Sequence, residues 1–249
     1  SSDVCSSDLI FRYTTLTVFT LCFIYDSDLF AGKILKYDLK KPASLSNKAV
    51  LFFMHGYGGS KKSYKKIVHE FGDDFSIVIL QAPYKMGFFS KKFSWYDWKI
   101  VDGDTTSNQE QINFSSKSVI KTINYILKKE NLDNKNVFIG GQSQGAIMAC
   151  KAASEYPESF RGFIIHNGRL PVVFSPADSD KLPKLNGLVI NGKYDKKMLP
   201  KYAKSIVNKF QKLGVEMDSI SPEIGHGMPP ESRSTIKEWI NSIISEQSK

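Results

Sequence analysis

One pentapeptide constrains this chain more than any other feature: Gly141-Gln142-Ser143-Gln144-Gly145, set between an apolar run and a helix-compatible stretch. Asn136–Gly140 (NVFIG) reads as a buried strand leading in, and Ala146–Ala153 (AIMACKAA) as a helix leading out. In a G-x-S-x-G nucleophile elbow the serine occupies a strained strand-to-helix turn, and the flanking glycines remove side chains that would clash there. The turn exposes the hydroxyl at a helix N-terminus, where developing negative charge is favoured. Ser143 is therefore the candidate nucleophile. A plain tight turn would account for the glycines but not for the strand and helix around them.

Such an elbow belongs in a parallel sheet, and from residue 33 onward the chain alternates short apolar runs with helical periodicity. Ala49–Met54, Ser76–Leu80, Gly162–Ile165 and Gly187–Ile190 read as further buried strands, and Val215–Ser219 as the next strand in the chain. Between them Val119, Ile120, Ile123, Ile126 and Leu127 share one helical face. Tyr202, Ala203, Ile206, Val207 and Phe210 do the same, as do Ile236, Trp239, Ile240, Ile243 and Ile244, the last set entered through Pro229-Pro230. The expected fold is α/β: a doubly wound, mostly parallel sheet with helices on both faces, in one domain over residues 33–249. Gln81–Phe114 breaks the rhythm. It holds Pro83, Phe88, Phe89, Phe93, Trp95, Tyr96 and Trp98 with no sustained period, and a long irregular connection in a compact domain is usually functional. A loop folding its own aromatics onto the core is the plainer reading, and the two are compatible.

Residues 1–32 are set apart. Ser1–Leu9 (SSDVCSSDL) resembles a translated sequencing adapter, and no Met initiates the chain, so this stretch is excluded from fold reasoning. The apolar run Leu16–Tyr25 after Arg12 is too short to span a membrane. It fits the apolar region of a truncated signal peptide or a first β-strand equally well, which leaves a cytoplasmic and an exported location both open.

Met54-His55-Gly56-Tyr57-Gly58-Gly59 directly follows the first clear core strand. A glycine-rich loop there brings a backbone N–H toward a substrate carbonyl, and the residue after the nucleophile supplies a second. The backbone N–H groups of Tyr57 and Gln144 are thus the candidate oxyanion hole, with His55 structural. In elbow folds the acid and base follow the serine in that order. Asp195 lies in the loop after strand Gly187–Ile190, and His226 lies between glycines after strand Val215–Ser219, both at carboxyl ends of strands. His166 is the rival base; Asp178 and Asp180 are rival acids but lack a preceding strand. His69 reads as a surface residue of a lysine-rich helix.

Charge narrows the partners. The chain of 249 residues has 34 Lys and Arg against 25 Asp and Glu, a formal charge of +9. That excess suits anionic lipid surfaces or acidic substrates. The lysines, however, are scattered over polar faces, and no arginine-rich segment or nucleic-acid motif is present, so nucleic acid is not expected as a partner. Cys5, Cys22 and Cys150 form neither a metal-ligand spacing nor a disulfide framework.

The pieces HGYGG, APY, SWYDW, GGQSQGA, NGRLP, INGKYD and GHGMPPE occur in the order seen in the phospholipase/carboxylesterase family, which includes the acyl-protein thioesterases and bacterial carboxylesterases. The resemblance covers roughly residues 45–245. It implies an α/β-hydrolase fold, no metal or organic cofactor, and hydrolysis of carboxylic esters or thioesters of small molecules or lipids through an acyl-enzyme. Carried over position by position, it implies a triad of Ser143, Asp195 and His226. It also sets the SWYD segment, with Trp95, beside the acyl site. On the residues themselves, the aromatic loop Phe88–Trp98 is expected to line an acyl or aryl pocket, with Phe88, Phe89, Trp95 and Tyr96 as substrate-binding candidates. The resemblance has departures: Gln142 stands where the family commonly has Phe, Gly59-Ser60 replaces an acidic or amide residue, and His166-Asn167-Gly168 replaces a Ser-Gly pair. These touch the surroundings of the serine, and so the substrate rather than the reaction class. A serine peptidase or a polysaccharide side-chain (acetyl or feruloyl) esterase would use the same triad, and a non-catalytic binding protein the same fold. Transient membrane-surface contact is compatible with the charge, and the oligomeric state is not legible.

Overall fold

A computed structural model describes residues 32–246 except 43–47, 72, 103 and 179. The adapter-like stretch and the apolar run Leu16–Tyr25 lie outside the described residues.

The strands are β1 (Tyr37–Lys40), β2 (Val50–Met54), β3 (Ser76–Leu80), β4 (Tyr84–Lys85), β5 (Phe93–Ser94), β6 (Trp98–Val101), β7 (Asp104–Ser107), β8 (Val137–Gln142), β9 (Gly162–His166), β10 (Asn186–Ile190) and β11 (Glu216–Ile220). The helices are α1 (Lys61–Val68), α2 (Gln109–Glu130), α3 (Gln144–Glu155), α4 (Pro200–Gln211) and α5 (Pro230–Ser245). Seven strands form one sheet in the order β1-β3-β2-β8-β9-β10-β11, parallel throughout except for the antiparallel edge pair of β1 with β3.

The central strands β2, β3, β8, β9 and β10 are buried on both faces because helices cover both, whereas the edge strands β1 and β11 are half-buried and largely exposed, respectively. In β2, Val50, Phe52 and Met54 point into one core layer with Val119, Ile123 and Ile126 of α2, much of α3, and Ile206 and Phe210 of α4. Leu51 and Phe53 point into the other, with Tyr64 of α1 and Ile236, Trp239 and Ile240 of α5. This is the period-2 alternation of a strand read through two buried faces. Each such fully buried side chain contributes about 1.5–3 kcal/mol. Cys150 is buried in the first layer, where desolvation pushes its thiol pKa up and leaves it a small apolar group.

Helix boundaries follow local chemistry. Asn108 caps α2 by accepting a hydrogen bond from the Gln111 N–H at 3.0 Å, and Asn131 ends it in the left-handed region at φ 52°. Proline opens both α4 and α5, where its missing N–H costs nothing.

The topology places the site. From β2 the chain moves outward to β3, whereas β8 joins the opposite side of β2. The sheet therefore reverses direction between β2 and β8, and ligands of open α/β sheets bind at such a switch point, outside the strands' carboxyl ends. The loop after β2 is His55–Gly59, and the turn after β8 is Ser143.

Candidate active site

Ser143 holds φ 55° and ψ −116°, a backbone conformation rare for a side-chain-bearing residue. Its surroundings enforce it: the Ser143 N–H donates to the His166 carbonyl at 3.0 Å, and Ile147 N–H donates to the Ser143 carbonyl at 3.1 Å. The two motif glycines are required by close backbone approach. A Cβ on Gly145 would stand 2.3 Å from the Met54 carbonyl oxygen and 2.6 Å from that of His55. One on Gly141 would stand 2.4 Å from the Gly145 carbonyl carbon. So α3 starts pressed against the end of β2, and the serine hydroxyl is turned outward.

Ser143, Asp195 and His226 come together at this edge. His226 Nε2 lies 3.0 Å from Ser143 Oγ, and His226 Nδ1 lies 2.7 Å from Asp195 Oδ2. Asp195 is wholly buried, and its other oxygen, Oδ1, accepts the backbone N–H groups of Lys197 at 2.8 Å and Met198 at 2.9 Å. A Cβ on Gly225 or Gly227 would meet nothing, whereas one on Gly192 would stand 2.5 Å from the Gly225 carbonyl oxygen, and the Tyr194 N–H donates to the Ile224 carbonyl at 3.0 Å. Side-chain amides add to this hold on the His226 loop. Gln142 Nε2 donates to the His226 carbonyl at 3.0 Å, and Asn167 Nδ2 donates to the carbonyls of Gly225 at 3.4 Å and Gly227 at 3.1 Å. Asn167, fully buried at φ 50°, also accepts the Gly192 N–H at 2.8 Å. One side chain thus ties the Asp195 loop to the His226 loop.

The rivals are placed elsewhere. His166 is fully buried, neither ring nitrogen has a partner among the described residues, and burial, with His226 nearby, lowers its pKa to about 3. His55 is buried too, and desolvation lowers its pKa to about 4. The neutral ring fits its bonds: Nδ1 donates to the Gly56 carbonyl at 2.8 Å, and Nε2 accepts from Ala82 N–H and Gln81 Nε2, both at 3.1 Å. Asp178 and Asp180 are exposed, and Asp180 pairs with Lys184.

The Tyr57 N–H, in the turn Tyr57-Gly58, donates to no backbone carbonyl among the described residues. The Gln144 N–H is in the first turn of α3, where a helix has no internal acceptor to offer. The loop's frame is secured by Gly59 N–H on Gly56 O at 3.0 Å and by Gly58 N–H on Phe93 O at 2.9 Å. Gln142 extends the frame: its Oε1 accepts the Tyr64 hydroxyl, which in turn accepts the Gly56 N–H at 3.4 Å.

The aromatic segment 81–107 forms two hairpins, β4/β5 and β6/β7. Of the aromatic candidates only Tyr96 lines the cavity beside Ser143. Trp95 is a correction: it is fully buried, with its indole N–H donating to the His55 carbonyl at 2.8 Å, so it supports the His55–Gly59 loop from beneath. Phe88 and Phe89 are corrected likewise. They occupy the tip of the β4/β5 hairpin, 84% and 92% exposed, because the turn at Gly87 (φ 90°) carries them away from the sheet. The Gln144 side chain straps the segment down, accepting Trp95 N–H at 2.9 Å and donating to the Tyr96 carbonyl at 2.7 Å.

The cavity holds about 630 Å³ and reaches from Ser143 and His226 past Tyr96, Trp98, Arg169 and Tyr202. Trp98, the end of the aromatic loop expected to line an acyl pocket, does line it; sequence reasoning did not assign Arg169, Lys197, Met198 or Tyr202 to it, nor a role to Asn167. Their signal was position: each lies in or next to a loop at the carboxyl end of a strand. Among the described residues no cluster of metal-ligating side chains is present.

Comparison with known proteins agrees with this architecture. The family model for phospholipase/carboxylesterase matches residues 40–244. The chain is 23% identical over 221 residues to acyl-protein thioesterase 1 homolog 1 of Dictyostelium discoideum, covering 85% of this chain and 97% of that protein. It is 27% identical over 123 residues to feruloyl esterase B of Talaromyces stipitatus, covering 48% of this chain and 32% of that protein. The crystal structure of the Bacillus cereus carboxylesterase superposes with a TM-score of 0.71 at 16% identity, over 90% of this chain and 98% of that one, a likeness of fold.

Proposed function

Because the chain belongs to the phospholipase/carboxylesterase family, we propose that it hydrolyses carboxylic esters or thioesters with Ser143 as nucleophile, His226 as general base and acid, and Asp195 as the residue that orients the imidazole. The observation that carries this reading is the continuous chain of hydrogen bonds from Ser143 Oγ to His226 Nε2 and from Nδ1 to Asp195 Oδ2. His226 takes the hydroxyl proton as Ser143 Oγ attacks the acyl carbonyl. The N–H groups of Tyr57 and Gln144 receive the oxyanion, Asp195 stabilises the imidazolium, and His226 returns the proton to the departing alcohol or thiol. Water then attacks the acyl-enzyme, giving one proton to His226, and the free acid leaves as Ser143 regains it. Each oxyanion donor is worth about a hundred- to a thousandfold in rate. Both donors are main-chain, so the ring of Tyr57 is not what stabilises the charge.

The purified protein is expected to hydrolyse p-nitrophenyl butyrate and to be labelled at Ser143 by a fluorophosphonate. A folded protein that does neither would return the chain to the non-catalytic reading. The relation to feruloyl esterase B supports polysaccharide side-chain esters as the second substrate class. Comparing p-nitrophenyl butyrate with methyl ferulate, acetylated xylan and a peptide p-nitroanilide separates the classes.

Asn167 acts in this reading as a positioning residue. Asn167→Ala removes the side-chain amide that ties the Gly192 turn to both glycines flanking His226. The expected result is a loss of about ten- to a hundredfold in kcat with KM little changed, the cost of misplacing a base by a fraction of an ångström. Asn167→Asp, which keeps the acceptor for Gly192 but not the donors, should fall with it. A loss confined to KM would remove the positioning role.

The hairpin tip supports transient contact with an anionic membrane surface. Phe88 and Phe89 project into solvent with Lys85, Lys91 and Lys92 exposed around them, an apolar tip in a basic collar. The Phe88→Ser/Phe89→Ser double variant should sediment about tenfold less with phosphatidylserine vesicles than the parent. Equal sedimentation of the two would exclude this contact.

A further inference from the structure

The charge on the cavity wall has one sign. Arg169 and Lys197 line it, and no carboxylate does. Asp195 stands behind His226, buried, with both oxygens already engaged. Some of the protein's other cations form ion pairs, among them Lys40, Lys61, Lys151, Lys193, Arg233 and Lys237. Among the described residues neither Arg169 nor Lys197 has an ion-pair partner, and the Arg169 guanidinium is bonded only to its neighbour, Nη1 donating to the Leu170 carbonyl at 3.2 Å.

Both cations are anchored by the same framework as the reacting groups. Arg169 follows Asn167-Gly168, and a Cβ on Gly168 would stand 2.7 Å from Ile165 Cγ2 and 2.8 Å from Ala146 Cβ. The loop is therefore pressed onto the start of α3, and Arg169 leaves it half-buried at the cavity. Lys197 is held through its backbone N–H on Asp195 Oδ1 at 2.8 Å. Arg169 also acts on the Tyr96 hydroxyl: burial pushes that phenol up to about 12, and the guanidinium opposes the shift. Tyr96 thus remains a neutral donor facing the same space. A partly desolvated guanidinium without an anion is unfavourable, and an anionic ligand relieves it.

We propose that the ester this cavity accepts carries a carboxylate or phosphate group, held by Arg169 and Lys197 while the acyl carbonyl lies at Ser143. The proposal rests on the serine-hydrolase reading and adds the substrate's charge to it.

Two substrate pairs test it on the full chain. p-Nitrophenyl butyrate against mono-p-nitrophenyl glutarate changes the charge on the acyl side with one leaving group. 1-Butyrylglycerol against its 3-phosphate changes it on the alcohol side. In at least one pair kcat/KM should favour the anion by about ten- to a hundredfold, mainly through KM, and the preference should shrink as salt rises. The Arg169→Gln/Lys197→Gln variant should remove that preference, and Arg169→Lys should keep part of it. Hydrolysis of neutral esters with no anionic preference in either pair overturns this proposal and leaves the hydrolase reading standing. A preference that survives in the double variant overturns the assignment to these two residues. No turnover of any ester, neutral or anionic, brings down the hydrolase reading itself.

Discussion

Ser143→Ala is expected to lower kcat/KM for p-nitrophenyl butyrate by about 10⁵- to 10⁶-fold while leaving the protein folded. The size follows from what the hydroxyl does. Without Oγ no acyl-enzyme forms, and the base 3.0 Å away has no proton to take. What remains is the oxyanion hole and binding, about 10³–10⁴-fold over water. Folding should be spared, because alanine at φ 55° is strained as serine is, so the difference between them in the native state is small. The elbow is built by main-chain groups: the Ser143 N–H on His166 and the close approach of Gly145 to Met54 and His55. Rates and melting temperatures of the two proteins check both halves. A folded variant keeping more than about one hundredth of the activity would end the nucleophile assignment.

The parts of this molecule that were legible in the sequence are those where local pattern and tertiary outcome share a cause. Ser76–Leu80 is buried at every position and apolar at all but Ser76 because helices cover both faces, and so it reads as a strand with the observed bounds. The glycines at 141 and 145 are legible because only glycine fits so close to another backbone. The edge strand Tyr37–Lys40, half-buried and antiparallel, carries no such mark and passed unread. In the segment 81–107 hydrophobicity did not report burial. Phe88 and Trp95 are both large and aromatic, yet a turn carries the first into solvent, while hydrogen bonds to Gln144 and His55 draw the second beneath the His55–Gly59 loop. Cavity walls are harder still. Arg169, Lys197 and Tyr202 meet only because the neighbouring strands β9 and β10 end at one edge, and Tyr202 read as part of a helix's apolar face. Asn167 was marked by its departure from the family pattern, but its role needed the positions of Gly192, Gly225 and Gly227.

The second large effect concerns the acid, and the structure says why an amide should fail there. Asp195 Oδ1 accepts two backbone N–H groups, from Lys197 and Met198, and Oδ2 accepts the His226 Nδ1 proton at 2.7 Å. In Asp195→Asn the same two N–H groups select the amide oxygen for the Oδ1 place, because an NH₂ there would oppose donor to donor. The NH₂ then faces His226, whose Nδ1 must become the acceptor. Its ring proton moves to Nε2 and points at Ser143 Oγ, so the imidazole sits in place with the wrong tautomer and cannot accept the hydroxyl proton. The expected loss is about 10⁴-fold in kcat with KM nearly unchanged, since the cavity wall is intact. Stability should change less than in Asp195→Ala, which leaves the N–H groups of Lys197 and Met198 without their acceptor. Measured kcat within tenfold of the parent would mean that some other group orients His226, and the search would move to the Gln142 and Asn167 amides that hold its loop.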